Sequence, residues 1–284
     1  MIWIPFIGAL ALAIGSLSEK LALKIKKIDI KLYQTASFFA ISLLLLPLLF
    51  FFWKLSPEAL NTKNILIFLL IITFSIVANL LSFYSLKREK ITNLEPARIL
   101  EPLFVIILAI FFSIFIDSVL YERNIKVIIP ALIAASALIL SHINRNHLSF
   151  NKYILAAILG SFLFALELVT SRIILDFYSP ITFYFFRCFA IFTISLLIFR
   201  PKIKNLDKKS DYIILLAAIF WVVYRIVVYY GYMKYGITFT TLITMLGPIM
   251  IYFFAWKFLK EKPTKRNIAA AIVIIACVLY ATLM

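Results

Sequence analysis

Residues 84–102, YSLKREKITNLEPARILEP, return 146 positions later as residues 230–248, YGYMKYGITFTTLITMLGP. The two stretches share a Tyr, an Ile-Thr pair and a Leu-x-Pro at equivalent positions. A second set of matches is offset by 152 positions and joins Gly8 to Gly160, Ala13 to Ala165 and Leu23 to Leu175. The chain therefore consists of two related halves, which we assign to residues 1–143 and 152–284.

The composition is that of a membrane protein. Hydrophobic residues make up 64% of the chain, against roughly 45–50% in soluble domains. Because a transmembrane helix needs about 20 residues, 284 residues accommodate ten helices and no soluble catalytic domain. The apolar runs predict spans near 2–23, 33–53, 65–86, 94–116, 125–142, 153–175, 180–199, 212–233, 238–258 and 267–283.

These spans predict an all-α integral membrane protein of the cell membrane. It would have ten transmembrane helices, arranged as two inverted five-helix repeats around a central cavity. The inversion follows because an odd number of spans in the first half reverses the orientation of the second. A repeat of this kind is typical of transporters that rock two comparable halves about a shared site near the midplane.

The net charge of +16 would suggest nucleic acid in a soluble protein. Here the Lys and Arg residues lie at span ends, so we expect them to contact lipid headgroups and not nucleic acid. Most of these residues lie in the loops and helix ends that follow spans 1, 3, 5, 7 and 9. The positive-inside rule places those loops in the cytoplasm and both termini outside. Cys188 and Cys277 both lie inside predicted spans, so neither a disulfide framework nor a metal site is indicated, and we predict no cofactor.

Two prolines occupy equivalent positions inside spans. Pro102 in span 4 and Pro248 in span 9 are repeat mates. Because proline removes a backbone donor from a helix, we expect a matched kink or break in both spans. Paired interruptions of this kind indicate the substrate site of a transporter.

The stretch from Tyr84 to Leu100-Glu101-Pro102, with its copy from Tyr230 to Leu246-Gly247-Pro248, resembles the drug/metabolite transporter superfamily. The closest resemblance is to its EamA-type, ten-helix branch, and it covers the whole chain. The resemblance implies a basket of helices around a central cavity that moves small metabolites such as amino acids, amines, nucleosides or sugar conjugates. Relatives usually keep both termini in the cytoplasm, which disagrees with the charge distribution, so the orientation stays open.

Ionisable residues at bilayer depth are costly and normally face the interior of the bundle. Span 4 carries Glu95, Arg98 and Glu101 at successive i,i+3 steps, which places neighbours within ion-pair reach. The strip either neutralises itself, or Pro102 loosens the helix so that Glu101 exchanges a partner, a proton or a substrate ammonium.

Arg225 lies near the middle of span 8, with Trp221 and Tyr229 four residues away on the same helix face. A guanidinium between two aromatic rings can hold a carboxylate or phosphate while the rings contact an apolar part of the ligand. The alternative is an ion pair between Arg225 and Glu101. The repeat mate of Arg225 is Asn79, so both halves present a polar group at the same depth.

Glu167 and Arg187 lie at similar distances from the turn between spans 6 and 7, so we expect an ion pair between them. Glu167 is also a cavity candidate. Thr244 is the repeat mate of Arg98, and its hydroxyl bonds either a ligand or the preceding turn. The predicted substrate-binding set is Arg225, Trp221, Tyr229, Asn79, Arg98, Glu101, Thr244 and Glu167.

The sequence thus predicts a secondary transporter, working as exporter, exchanger or importer, for a small polar or amphiphilic metabolite such as an amino acid or amine. Its partners would be that substrate, the lipid bilayer, and protons or a counter-substrate; the oligomeric state is not specified. The alternatives are a flippase for a lipid-linked head group and a non-transporting membrane scaffold. An enzyme is disfavoured, because the only Asp pair with metal-site spacing, Asp207 and Asp211, lies in a Lys-rich loop.

Overall fold

The computed structural model describes residues 3–89, 94, 97–116, 120–121, 124–142, 151–202, 206–250 and 265–283. Within these residues the secondary structure is helical, apart from turns and one isolated β-bridge. The helices are α1 (Trp3–Lys24), α2 (Ile30–Phe52), α3 (Thr62–Arg88), α4 (Leu100–Phe115), α5 (Ile125–His142), α6 (Lys152–Leu175), α7 (Pro180–Phe199), α8 (Lys208–Lys234), α9 (Ile237–Thr244) and α10 (Lys265–Leu283), with a 3₁₀ turn at Pro57–Leu60.

Seven of the described helices, α1, α2, α3, α6, α7, α8 and α10, are long and apolar enough to cross a membrane. The helices α4, α5 and α9 are apolar but shorter. The all-α membrane architecture is therefore confirmed, whereas the count of ten spanning helices stays a prediction. Part of span 4 lies outside the described residues, including Glu95.

The predicted interruptions in spans 4 and 9 are confirmed, and they match. The α-helix is interrupted by a single turn residue at Ile99 and again at Met245, each three residues before a proline. Pro102 cannot donate to the carbonyl of Arg98, and Pro248 cannot donate to that of Thr244. Two repeat-related carbonyls are thus left without their usual helical partner.

The packing of the helices follows the repeat. Helix α1 packs on α8, and α6 packs on α3, which is the same pair with the halves exchanged; α2 packs on α7 and α5 on α10. A side chain at Gly8 would meet Val227, and one at Gly160 would meet Leu81. These glycines are repeat mates, and so are the residues that they face, because Val227 lies 146 positions after Leu81. The arrangement is compatible with a pseudo-twofold relation between the halves.

One end of the bundle, which we call the latch end, is closed by hydrogen bonds between the halves. Residues 52–56, at the end of α2 and just after it, run beside residues 176–182, which form the α6–α7 turn and the start of α7. An antiparallel bridge joins Leu55 to Tyr178. Ser56 N donates to Phe177 O over 2.9 Å, Ser179 N to Lys54 O over 3.2 Å, and Ser179 Oγ to Phe52 O over 2.5 Å. Because these bonds join the first half to the second, the halves cannot separate here without breaking them.

The opposite end carries most of the lysines, and we call it the basic end. There Lys20 Nζ donates to the carbonyls of Leu86 and Glu89 at the end of α3, and Lys87 Nζ donates to Ile28 O. Among the described residues, 25–29 form no hydrogen bond to the α7–α8 connection, the repeat equivalent of the latch. Within the described ranges, the basic end thus lacks an equivalent of the hydrogen-bonded closure between the halves that the latch end has.

The helix beginning at this end, α8, is capped by Asp207. Its carboxylate accepts hydrogen bonds from Ser210 Oγ and from Ser210 N, and these bonds lower the pKa of Asp207. Such a cap satisfies backbone donors that the first helical turn leaves free.

Candidate functional site

A cavity of about 80 Å³ lies between the two halves. Its walls come from α1, α2, α3 and α4 of the first half and from α6, α7 and α8 of the second. Tyr33, Ser85 and Leu86 place one part of the cavity near the basic end, whereas Tyr184 and Arg187 lie deeper, toward the latch. Among the described residues, five acidic or basic side chains line it: Glu19, Arg98, Glu101, Arg187 and Arg225.

The deep wall is a buried charge network centred on Glu167, whose side chain is 0% exposed. Arg187 donates hydrogen bonds to Glu167 and to the Tyr229 hydroxyl. Tyr229 in turn donates to Glu167 Oε1 over 2.9 Å, and Arg225 Nη1 lies 3.3 Å from Glu167 Oε2. The predicted ion pair between Glu167 and Arg187 is confirmed. One carboxylate thus serves two guanidinium groups, so the network carries a surplus positive charge when all three groups are ionised.

Arg225 lines the cavity and keeps an unpaired hydrogen-bond donor. Although Arg225 Nη1 is within ion-pair distance of Glu167, it has no hydrogen-bond partner among the described residues, and Glu167 Oε2 has none either. The side chain is only 5% exposed, and a buried unpaired donor costs free energy.

An aromatic cluster separates the charge network from the latch. The ring of Tyr229 meets Phe183 edge to face at 5.1 Å, and Phe183 meets Phe68 at 5.7 Å and the latch residue Tyr178 at 5.4 Å. Water and polar ligands are excluded by such packing. The deep wall of the cavity is therefore closed in this conformation.

Toward the basic end the charges alternate in sign. Glu101 interacts electrostatically with Arg225 and Arg98, and Arg98 is in turn the charged partner that acts on Glu19. None of Glu19, Arg98 and Glu101 has an opposite charge within 4.0 Å among the described residues. These three groups consequently face the cavity without direct ion pairs.

Of the eight predicted site residues, the structure brings five to the cavity: Arg225, Trp221, Asn79, Arg98 and Glu101. Asn79 and its repeat mate Arg225 both line it, so each half contributes a polar group. Asn79 also donates to Ser75 O over 2.7 Å.

The structure places the other three elsewhere. Glu167 and Tyr229 form the network behind the cavity wall, and neither lines the cavity. Thr244 is buried, and its hydroxyl donates to Thr241 O over 2.9 Å. The interpretation of Thr244 as a residue that bonds the preceding turn is therefore confirmed.

Two details predicted for Arg225 are wrong. Its ion-pair partner is Glu167 and not Glu101, because α8 faces α6 at this depth. The rings beside its guanidinium are Phe164 at 5.7 Å and Tyr224 at 5.8 Å, and not the predicted Trp221 and Tyr229. Side chains four residues apart share a helix face, but neighbouring helices decide which rings reach a given group.

Sequence reasoning missed several cavity residues, including Glu19, Tyr33, Tyr184 and Tyr224. Glu19 stands beside Lys20 near the end of the first apolar run, which suggests a span boundary. The helix continues to Lys24, in agreement with the span predicted for residues 2–23, and Glu19 lies inside the bundle, where it is 4% exposed. Arg187, predicted to have a structural role, both forms the ion pair and reaches the cavity.

Comparisons with known proteins agree with this architecture. Residues 151–283 match the model of the EamA-like transporter family. One solved crystal structure superposes on 99% of this chain and 95% of its own, with a TM-score of 0.72 and 14% sequence identity; at that identity the likeness concerns the fold alone. No protein with curated annotation matches the sequence significantly.

Proposed function

We propose that this multi-pass membrane protein is a secondary transporter of a small polar or amphiphilic metabolite. Its second half matches the EamA-like transporter family, and seven described helices are long and apolar enough to cross a membrane. The two five-helix halves would be inverted repeats that rock about the cavity between them. Protons or a counter-substrate would drive the cycle. The observation that carries this proposal is a charged cavity shared by both halves and closed at one end by hydrogen bonds between them.

Arg225 is the proposed contact for an anionic group of the substrate, since its Nη1 donor is buried and unpaired. Asn79, Arg98, Glu101 and Trp221 would complete the binding site from the opposite walls. Glu167 and Tyr229 would position the arginines instead of touching the substrate. Because the positive-inside rule places the basic end in the cytoplasm, the cavity would be reached from that side in this conformation.

Transport by reconstituted protein tests the proposal. Proteoliposomes would be loaded with unlabelled leucine, spermidine, choline or uridine and exposed to the same compound in labelled form. Uptake of the label would be measured with and without a pH gradient. We expect saturable uptake of at least one compound, at least tenfold slower in Arg225→Gln and unchanged in Arg88→Gln, whose side chain is exposed at the end of α3. Uptake no faster than in protein-free vesicles for the whole panel would contradict a transport role for this class of substrate.

A further inference from the structure

Glu19 is the buried carboxylate that the network described above does not use. It lies on α1, is 4% exposed and lines the cavity. Among the described residues it forms no ion pair within 4.0 Å, and the indole N–H of Trp221 is the donor that faces it. An ionised carboxylate in this position is costly unless a cation binds it.

The surroundings of Glu19 suit a cation. Trp221 packs against α1 one turn before Glu19, where a Cβ added at Gly15 would lie 3.7 Å from the indole nitrogen. This buried N–H faces Glu19 but does not meet the geometry of a full hydrogen bond. Tyr33, 1% exposed, lines the same part of the cavity and interacts electrostatically with Glu19. Aromatic rings beside a carboxylate stabilise an ammonium group through both its charge and its hydrogen atoms.

The lysine that follows Glu19 is occupied elsewhere. Lys20 donates to the backbone carbonyls of Leu86 and Glu89, so its ammonium group closes the end of α3. Arg98 is the remaining basic neighbour, but it lies more than 4.0 Å from the carboxylate. No described residue therefore supplies a direct cationic partner for Glu19.

Glu19 and Arg225 lie at different depths of one cavity. Gly8 faces Val227 and Gly15 faces Trp221, so α1 and α8 run antiparallel. Because residue 8 faces residue 227, Arg225 is level with residue 10 of α1. Residue 10 lies nine residues before Glu19, a distance of about 13 Å along the helix at 1.5 Å per residue. Both long side chains lean toward the N-termini of their helices, and hence toward each other. Opposite charges thus face the cavity from two levels with space between them.

We propose that Glu19 forms a second subsite that binds the ammonium group of a dipolar substrate, whose carboxylate or phosphate binds Arg225. This assignment rests on the proposed function and narrows its substrate class to molecules that carry both charges. Glu19 would act as the specificity residue for the cationic group, and Trp221 and Tyr33 as the rings that surround it.

Three small molecules with one aliphatic skeleton separate the two subsites. Leucine carries both charges, isoamylamine only the ammonium group, and 4-methylpentanoate only the carboxylate. Binding to the folded protein raises its apparent melting temperature, so the shift would be recorded in detergent for the wild type, Glu19→Gln, Arg225→Gln and the exposed control Glu58→Gln.

We expect isoamylamine to stabilise the wild type, Arg225→Gln and Glu58→Gln but not Glu19→Gln. We expect 4-methylpentanoate to stabilise the wild type, Glu19→Gln and Glu58→Gln but not Arg225→Gln. Leucine should bind at least tenfold more tightly than either fragment. If isoamylamine stabilises Glu19→Gln as well as the wild type, or never stabilises the wild type, the ammonium subsite is wrong.

Stability without ligand separates binding from a structural role. If Glu19 serves only to balance Arg98, then Glu19→Gln and Arg98→Gln should both lower the melting temperature. Our assignment predicts that Glu19→Gln melts at or above the wild-type temperature, because it removes an uncompensated buried charge. Uptake in proteoliposomes is measured separately. If a compound is transported equally fast by the wild type and Glu19→Gln, this subsite alone is wrong. If the ligands bind but no compound is transported, the proposed function alone is wrong.

Discussion

At the scale of single residues, the cavity is organised by the unequal pairing of its charges. Glu167 balances two arginines, while Glu19, Arg98 and Glu101 lack direct ion pairs among the described residues. That these groups would lie inside the bundle follows from their position in apolar spans. Which of them pair does not follow, because the partner of Arg225 depends on α6, α7 and α8 meeting at one depth. The sequence therefore predicts the Glu167–Arg187 pair across a short turn but misses the longer-range contact with Arg225.

Glu167 should be the charged residue on which folding depends most. Glu167→Gln leaves two buried guanidinium groups without their carboxylate, and breaking a buried pair typically costs about 3–5 kcal/mol. Asp176→Asn breaks the Arg172–Asp176 pair, whose Asp side chain is 48% exposed, so it should cost less than about 1 kcal/mol. Thermal unfolding of both variants in the same detergent checks this. Equal losses would mean that Glu167 does not hold the network together.

At the scale of helices, the sequence predicts most of the described architecture. Apolar runs give the helix positions because each span must be long enough to cross the bilayer, and the prolines predict the matched turns at Ile99 and Met245. The latch at residues 52–56 and 176–182 could not be predicted. Its hydrogen bonds join backbone groups, which carry no residue-specific signal and depend on how the halves meet.

The interruption at Pro248 offers a test of whether these breaks serve transport. Pro248→Ala restores a donor to the carbonyl of Thr244, and we expect the ligand-free protein to gain on the order of 1 kcal/mol from one helical hydrogen bond. Uptake should fall severalfold because the helix resists bending. Pro130→Ala is the matched control, since Pro130 lies inside α5. Unchanged uptake in Pro248→Ala would show that the break is not used in the cycle.

At the scale of the whole molecule, the described conformation is closed at the latch end, with its cavity nearer the basic end. The closure consists of hydrogen bonds between the halves, backed by the cluster of Tyr178, Phe183 and Tyr229. Alternating access requires this closure to open while the basic end shuts. The Glu167 network joins α6, α7 and α8, which all belong to the second half, so it would keep these helices together while the two halves rock.

Cross-linking the latch tests this account most directly. Leu55 and Tyr178 form an antiparallel bridge, a geometry whose backbone spacing accommodates a disulfide. Leu55→Cys with Tyr178→Cys would be made in a Cys188→Ser, Cys277→Ser background, since these are the two native cysteines. Uptake of the compound that the wild type transports fastest would be measured in proteoliposomes after oxidation and again after reduction. We predict that oxidation stops uptake and reduction restores it, with each single-cysteine variant unaffected. Undiminished uptake by fully cross-linked protein would contradict alternating access through the latch.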